Sequence, residues 1–165
     1  LLIGGEAMGE KVFSFIKDYL PQNTVFNVYG PTEATIWSTA FLLTGAKKVL
    51  LGKPLGNESI YILNHDLNLV PIGSIGEICI GGVGLARGYL NRPDLTREKF
   101  IENPFKAGER IYRTGDLGRL REDGNLEYLG RIDDQIKIRG HRIELGEIEK
   151  ALARHPKSGQ CVVIA

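Results

Sequence analysis

Three stretches carry residue types whose spacing suits chemistry. The densest is Asn27-Val28-Tyr29-Gly30-Pro31-Thr32-Glu33, where an aromatic ring, a hydroxyl and a carboxylate fall within five residues on a Gly-Pro turn. Such a cluster suits a nucleotide: Tyr29 can stack on a base, Thr32 can donate to a phosphate oxygen, and Glu33 can hold Mg2+. An ordinary turn with a capping Thr has the same sequence. The second stretch, Tyr112-Arg113-Thr114-Gly115-Asp116, puts a carboxylate just after a glycine at a strand end. There it can accept both hydroxyls of a ribose, or be a plain surface-turn aspartate. The third spans 130–144 and holds five basic side chains, Arg131, Lys137, Arg139, His141 and Arg142, with glycines that permit close approach. These suit phosphates, although Asp133, Asp134 and Glu144 offset part of the charge, as on a solvated strand of alternating charge.

Other chemistries are poorly represented. Gly81-Gly82-Val83-Gly84 is followed by no Lys-Ser/Thr and sits in no strand–GxGxxG–helix unit, so its glycines read as turn glycines. His65, His141 and His155 lack metal-ligand spacing, and no G-x-S-x-G elbow occurs. Cys79 and Cys161 form no disulfide framework and read as two small core residues of a reduced, cytoplasmic chain.

The elements that must position these clusters change character along the chain. Residues 1–4 read as a short buried strand. Met8, Val12, Phe13, Ile16, Tyr19 and Leu20 then recur at helical spacing until Pro21, and 24–29 is β-rich. This is the strand–helix–strand signature of a parallel α/β sheet, and it puts Tyr29 and Glu33 at the carboxyl end of a strand, where such sheets bind ligands. From 36 to 129 come short β-like runs at 36–43, 60–63, 76–80, 110–114, 117–121 and 126–128, with a hairpin signal at Asp123-Gly124 and a short helix after Pro93. They suggest a barrel or sandwich element added to the α/β layer. A third architecture begins near 131–134: an alternating strand at 135–139, then a helix over 145–154 stopped by Pro156. The apolar ends, Leu1-Leu2-Ile3 and Cys161-Val162-Val163-Ile164-Ala165, read as strands, the latter buried. They suggest an internal piece of a longer protein.

Composition bounds the partners. The chain has 165 residues, with 21 Lys+Arg against 20 Asp+Glu and a net charge of +1. That balance argues against a nucleic-acid partner held by bulk charge. No apolar run approaches the ~20 residues of a membrane span, and no signal peptide is visible. Glycine, at 21 residues, is nearly twice its usual ~7% share, which predicts tight turns or close backbone–ligand approaches.

The order and spacing of the clusters are more specific than any one of them. NVYGPTEATIWST, GEICIGGVGLARGYLNRPDLTREKF, YRTGDLGRL and LEYLGRIDDQIKIRGHRIELGEIE follow one another in a way that resembles adenylate-forming enzymes, and most closely the amino-acid-activating adenylation domains of non-ribosomal peptide synthetases. The resemblance covers the whole chain. It implies an α/β fold: the C-terminal part of a large lobe, a parallel α/β layer followed by a distorted β-barrel, over 1–132, and the start of a small α+β lobe over 133–165. It implies a reaction of an amino acid with Mg-ATP to give aminoacyl-AMP and pyrophosphate. The acyl group then passes to the phosphopantetheine of a carrier (thiolation) domain, with a condensation domain in the same synthetase. By this resemblance Tyr29 stacks on adenine, and Asn27, Gly30 and the Gly4-Gly5-Glu6 backbone border it. Thr32 contacts the α-phosphate, Glu33 ligates Mg2+, and Asp116 takes the ribose hydroxyls with Arg131 close by. Asp133 matches the hinge of the small lobe, and Arg139-Gly140-His141 lies on the loop facing the active site in the thioester-forming state. The family's phosphate loop is expected before Leu1 and its bridging lysine beyond Ala165, so the 165-residue piece alone is expected not to adenylate.

The resemblance also assigns an amino-acid pocket to Leu2, Gly4, Val28, Ile36 and Trp37. All are uncharged, which disfavours a charged substrate, and the bulk of Trp37 favours a small one, glycine-like first and cysteine-like second, unless Trp37 is plain core. A carboxylate–CoA ligase of the same superfamily and a degenerate nucleotide-binding module are the competing readings.

Overall fold

The computed structural model describes residues 1–138, 141–155 and 157–164. Its first layer is the expected strand–helix–strand unit. β1 (Leu2–Gly4) and β2 (Phe26–Tyr29) pair in parallel, with Gly4 opposite Val28. α1 (Glu10–Tyr19) makes the crossover, with Glu10 in its first turn and Lys17 in its last, both favourable to the helix dipole. Its inner face buries Phe13 and Ile16 against Val25 and Leu43. β3 (Thr39–Leu42) runs antiparallel beside β2, and β4 (Lys53–Pro54) completes a sheet of order β1-β2-β3-β4. Two expectations fail here. β1 is an edge strand and not buried, with Leu2 49% exposed. The strand expected from residue 36 starts only at Thr39. Before it, Thr32–Ala34 forms a single 3-10 turn, and Thr35 (φ 55°) and Ile36 (φ 76°) take left-handed backbone. Two β-branched residues in that region carry strain, and the kink they make cannot pair as a strand.

The β-rich middle is an antiparallel sheet. β5 (Glu58–Leu63), β6 (Gly76–Gly82), β7 (Phe100–Glu102), β8 (Arg110–Leu120) and β9 (Leu126–Arg131) are arranged β5-β6-β8, with β7 and β9 sharing the far edge of β8. α2 (Pro93–Lys99) begins with its proline in the first turn, as expected, and leads into β7. The runs 110–114 and 117–121, expected as two strands, are one strand interrupted by a bulge; Asp123-Gly124 forms the turn to β9. Ile78, Ile62, Leu51 and Leu126 form its core on one side, and Cys79, Ile111 and Leu63 on the other. The segment 50–52 joins the two sheets. Asn27 Nδ2 donates to Leu50 O (2.7 Å), Thr39 Oγ1 to Leu51 O (2.7 Å), and Leu51 N to Leu126 O (2.8 Å).

The last part is a two-stranded antiparallel sheet, β10 (Gln135–Ile138) and β11 (His141–Glu144), followed by α3 (Leu145–Ala153). The expected loop residues Arg139 and Gly140 and the helix stop Pro156 lie outside the described residues; His141 opens β11. The terminal run expected as a buried strand is not one over 161–164, where Val162 and Ile164 are exposed and pair with no described strand. Ala165 lies outside the described residues. Of the two cysteines only Cys79 is in the core; Cys161 is half-buried. No helix among the described residues is long and apolar enough to cross a membrane.

Candidate nucleotide and substrate site

Two adjoining cavities open at the carboxyl ends of β1 and β2. One, of about 540 Å3, is lined by Gly5, Glu6, Asn27, Tyr29, Gly30, Asp116 and Arg131, with Leu50, Tyr128, Gln135 and Lys137 among the remaining walls. The other, of about 440 Å3, takes Leu2, Gly4, Val28, Thr32, Ile36 and Trp37. They share Gly5, Val28, Tyr29, Gly30, Asp116, Arg131, Gln135 and Lys137. Glu6 and Asn27 line only the first space, Val28 lines both, and Thr32, expected at a phosphate, lies in the second with Leu2, Gly4, Ile36 and Trp37.

The turn after β2 is built by backbone contact. A Cβ on Gly30 would sit 2.6 Å from Ile36 O and 2.7 Å from Ser38 N, so only glycine lets the kinked segment fold back. Ser38 N then donates to Tyr29 O (2.7 Å), and Thr35 Oγ1 to Gly84 O (2.6 Å). This bend leaves Ile36 and Trp37 on the cavity wall. Trp37 is 44% exposed, so it is not plain core. Asn27 is buried, and its amide is committed to Leu50 O.

Asp116 is the centre of the shared wall. Tyr29 Oη donates to its Oδ2 (2.6 Å) and Arg131 Nη1 to its Oδ1 (2.7 Å). Arg131 in turn grips Asp133 through Nε (2.6 Å) and Nη2 (2.7 Å). Burial pushes the Asp116 carboxyl up, and the Tyr29 and Arg131 contacts only partly oppose it. Burial and then Asp116 push the Tyr29 hydroxyl up, so it stays a donor. Burial works against the Arg131 charge, but Asp133 and Asp116 outweigh it and hold the guanidinium protonated. A carboxylate has about four lone-pair sites. With two donors in place, Asp116 keeps capacity for two ligand hydroxyls.

Glu33 lies deeper, 7% exposed, on the 3-10 turn. Its Oε1 accepts from Tyr89 Oη (2.7 Å) and Arg142 Nη1 (2.7 Å), and its Oε2 has no hydrogen-bond partner among the described residues. Burial pushes this carboxyl up, but the hydrogen bonds from Tyr89, its own backbone and Arg142 outweigh that and hold it below its ordinary value. Burial also pushes the nearby Tyr112 hydroxyl up to about 12. Sequence reasoning gave Tyr89 and Gln135 no role, and Lys137 and Arg142 only the general one of basic side chains suited to phosphates. Arg142 sits in the basic third stretch and Tyr89 in the GLARGYL run, but nothing local says that either reaches Glu33. His141 is exposed at the start of β11 and lines neither cavity.

The AMP-binding enzyme family matches residues 1–90, a stretch that contains β1, β2, the Gly30 turn and Glu33. The chain belongs to this family. Over its whole length it is 56% identical to part of a linear gramicidin synthase of Brevibacillus parabrevis, and 54% identical to part of tyrocidine synthase 1 of the same organism. Surfactin synthase subunit 2 of Bacillus subtilis (strain 168) is 53% identical over 92% of the chain. The chain spans 3%, 15% and 4% of the lengths of these relatives. Among solved structures, PA1221, an NRPS protein containing adenylation and PCP domains, superposes with a TM-score of 0.85 at 32% identity; the match covers 94% of this chain and 33% of that one. The expected α/β architecture thus has a solved counterpart in an adenylation protein of the non-ribosomal peptide synthetase type.

Proposed function

We propose that this AMP-binding chain is part of an amino-acid-activating adenylation domain, residues 1–132 belonging to its large lobe and 133–165 to its small one. The observation that carries the reading is a pair of adjoining cavities that share Tyr29, Asp116 and Arg131, with Glu6 and Asn27 lining only the first and Leu2, Ile36 and Trp37 only the second. Adenine stacks on Tyr29 beside the Gly4-Gly5-Glu6 backbone, the ribose hydroxyls bond to Asp116, and Thr32 donates to the α-phosphate. The substrate carboxylate attacks the α-phosphorus, an acyl–phosphate bond forms, and pyrophosphate leaves. This chain's residues contribute positioning and charge neutralisation to that step.

Magnesium keeps most of its waters and takes one or two carboxylates beside substrate phosphates. Glu33 fits that requirement: one buried carboxylate with an unpartnered oxygen, and no cluster of three or more acidic, histidine or cysteine ligands among the described residues. Bound there, the ion would neutralise phosphate charge.

The acyl group passes to a phosphopantetheine thiol on a carrier domain, next to a condensation domain in the same synthetase; Asp133 is the hinge and Arg139, Gly140 and His141 the loop facing the site in that state. The separate β10–β11 sheet, which begins just past Asp133, supports this division. The side of the second cavity formed by Leu2, Gly4, Val28, Ile36 and Trp37 carries no charge and includes the bulk of Trp37, which supports a small substrate, glycine-like before cysteine-like. Two free thiols agree with a cytoplasmic setting.

The test is pyrophosphate exchange by the full-length protein carrying this chain, with a panel of amino and fatty acids. Exchange driven by a small amino acid supports the reading. Exchange driven only by fatty acids sinks it in favour of a CoA ligase, and nucleotide binding without exchange sinks it in favour of a binding module. Residues 1–165 alone are expected to give none. Asp116→Ala in the full protein should cost about 2 kcal/mol of ATP binding, roughly thirtyfold in the KM for ATP. An unchanged KM would remove the ribose assignment.

A further inference from the structure

Asp116 does not stand in a regular strand. Between β6 and β8 the register runs Cys79 opposite Arg113 and Glu77 opposite Leu117. Ile78 alone therefore faces Thr114, Gly115 and Asp116. Such a bulge re-aims a side chain at the cost of ladder hydrogen bonds, and here four of the backbone groups around it have other partners. Thr114 Oγ1 donates to Ile78 O (2.7 Å) and accepts from Asp116 N (2.9 Å). Ile132 N donates to Gly115 O (2.8 Å). The remaining donor, Gly115 N, goes to a side chain: Glu77 Oε1, at 3.1 Å.

Glu77 is 8% exposed. Its other oxygen accepts from Arg113 Nε (3.0 Å) and Nη2 (2.7 Å), on the residue just before the bulge. One carboxylate thus holds the residue that enters the bulge, Arg113, and the backbone at its middle, Gly115. It touches neither cavity. Gly115 has φ +74°, and a Cβ there would lie 2.8 Å from Arg131 Nη2. The bulge therefore sets the direction of Asp116 and leaves the space that Arg131 needs beside it.

We propose that Glu77 is a positioning residue for the nucleotide, acting through the Thr114–Asp116 bulge without contact with any ligand. The proposal rests on Asp116 as the ribose acceptor. A carboxylate that merely stabilises the sheet would change the amount of folded protein and not the nucleotide affinity of what is folded. One that aims Asp116 must change that affinity, and only while Asp116 is present.

The experiment is a double-mutant cycle in the full-length protein, with Glu77→Ala, Asp116→Ala and both together. The KM values for ATP and amino acid are read by pyrophosphate exchange, and folded content by circular dichroism. Glu77→Ala should raise the KM for ATP about tenfold, the loss of one buried hydrogen bond to a charged group, with the amino-acid KM unchanged. The double variant should bind ATP no more weakly than Asp116→Ala alone. An unchanged KM for ATP in folded Glu77→Ala, or effects that multiply in the double variant, overturns the proposal while leaving the ribose reading intact. An Asp116→Ala protein with normal ATP binding overturns the ribose reading, and the proposal with it. If Glu77→Ala does not fold, Glu77→Gln takes its place. It keeps the volume and one acceptor oxygen for three donors, and should raise the KM for ATP about threefold; no rise overturns the proposal.

Discussion

Asp116 holds two donors and is still pushed above the ordinary carboxylate range by burial. Accepting ribose hydroxyls requires the ionised form, so nucleotide affinity should weaken as pH falls through a pKa higher than that of an ordinary aspartate. Tyr29 works against the upward shift by donating to Oδ2. Tyr29→Phe keeps the ring proposed to stack on adenine but removes that donor, so the pH at which affinity weakens should move up. Titrating AMP binding from pH 7 to 4 in both proteins checks this, and an onset that stays put or moves down removes the carboxylate from the binding step. Tyr29, Thr32, Glu33 and Asp116 were legible in the sequence because each lies in a short motif whose residue types belong together. Tyr89, Arg142 and Glu77 were not. Their partners lie 56, 109 and 38 residues away along the chain, and such a pairing exists only once the sheets have formed.

Elements were read well where the hydrophobic period was clean. The β1–α1–β2 unit, α2 and the Asp123-Gly124 hairpin all have local signatures. Two of the misreadings come from a bend in the chain. Thr114-Gly115-Asp116 split β8 in two for that reason, and the run expected as a strand from residue 36 begins late because Thr35 and Ile36 fold into the left-handed region. The short β4, β7 and β11 escaped because two to four residues carry too little period to read. The bulge has a testable energetic signature of its own. Gly115→Ala forces a side chain onto backbone at φ +74° and against the Arg131 guanidinium, which Asp116 and Asp133 pin from both sides. The expected cost is about 1–2 kcal/mol of folding stability, measured as a lower urea midpoint, together with weaker nucleotide binding because Arg131 must move. A variant with normal stability and normal binding would mean that the bulge tolerates a Cβ.

At the scale of the whole molecule, the two larger sheets are fused through 50–52, whereas the last part is held by few interactions. Ile132 N bonds to Gly115 O, Arg131 bridges Asp116 and Asp133, and Arg142 reaches Glu33. α3 buries none of its residues, and Ile148 and Leu152 remain exposed. The sequence changes pattern near 131–134, just before the separate β10–β11 sheet. The contact that spans this point was not legible there, because it pairs a buried carboxylate with a cation whose sequence context is a strand of alternating charge. Arg142 is also the positive charge on Glu33, the carboxylate proposed for magnesium, so the β10–β11 sheet and a cation compete for one group. Breaking the pair separates its mechanical part from its chemistry. Arg142→Ala should cost about 1 kcal/mol, between an exposed and a buried ion pair, and so speed amide exchange in β10 and β11 roughly fivefold. Exchange in β6 and β8, far inside the larger sheet, should not change. In 1 M salt, where exposed charges are screened within about 3 Å, the difference between wild type and variant should shrink but persist, since Glu33 is buried. Equal exchange in the two proteins at low salt would show that the Arg142–Glu33 pair does not help to seat the β10–β11 sheet.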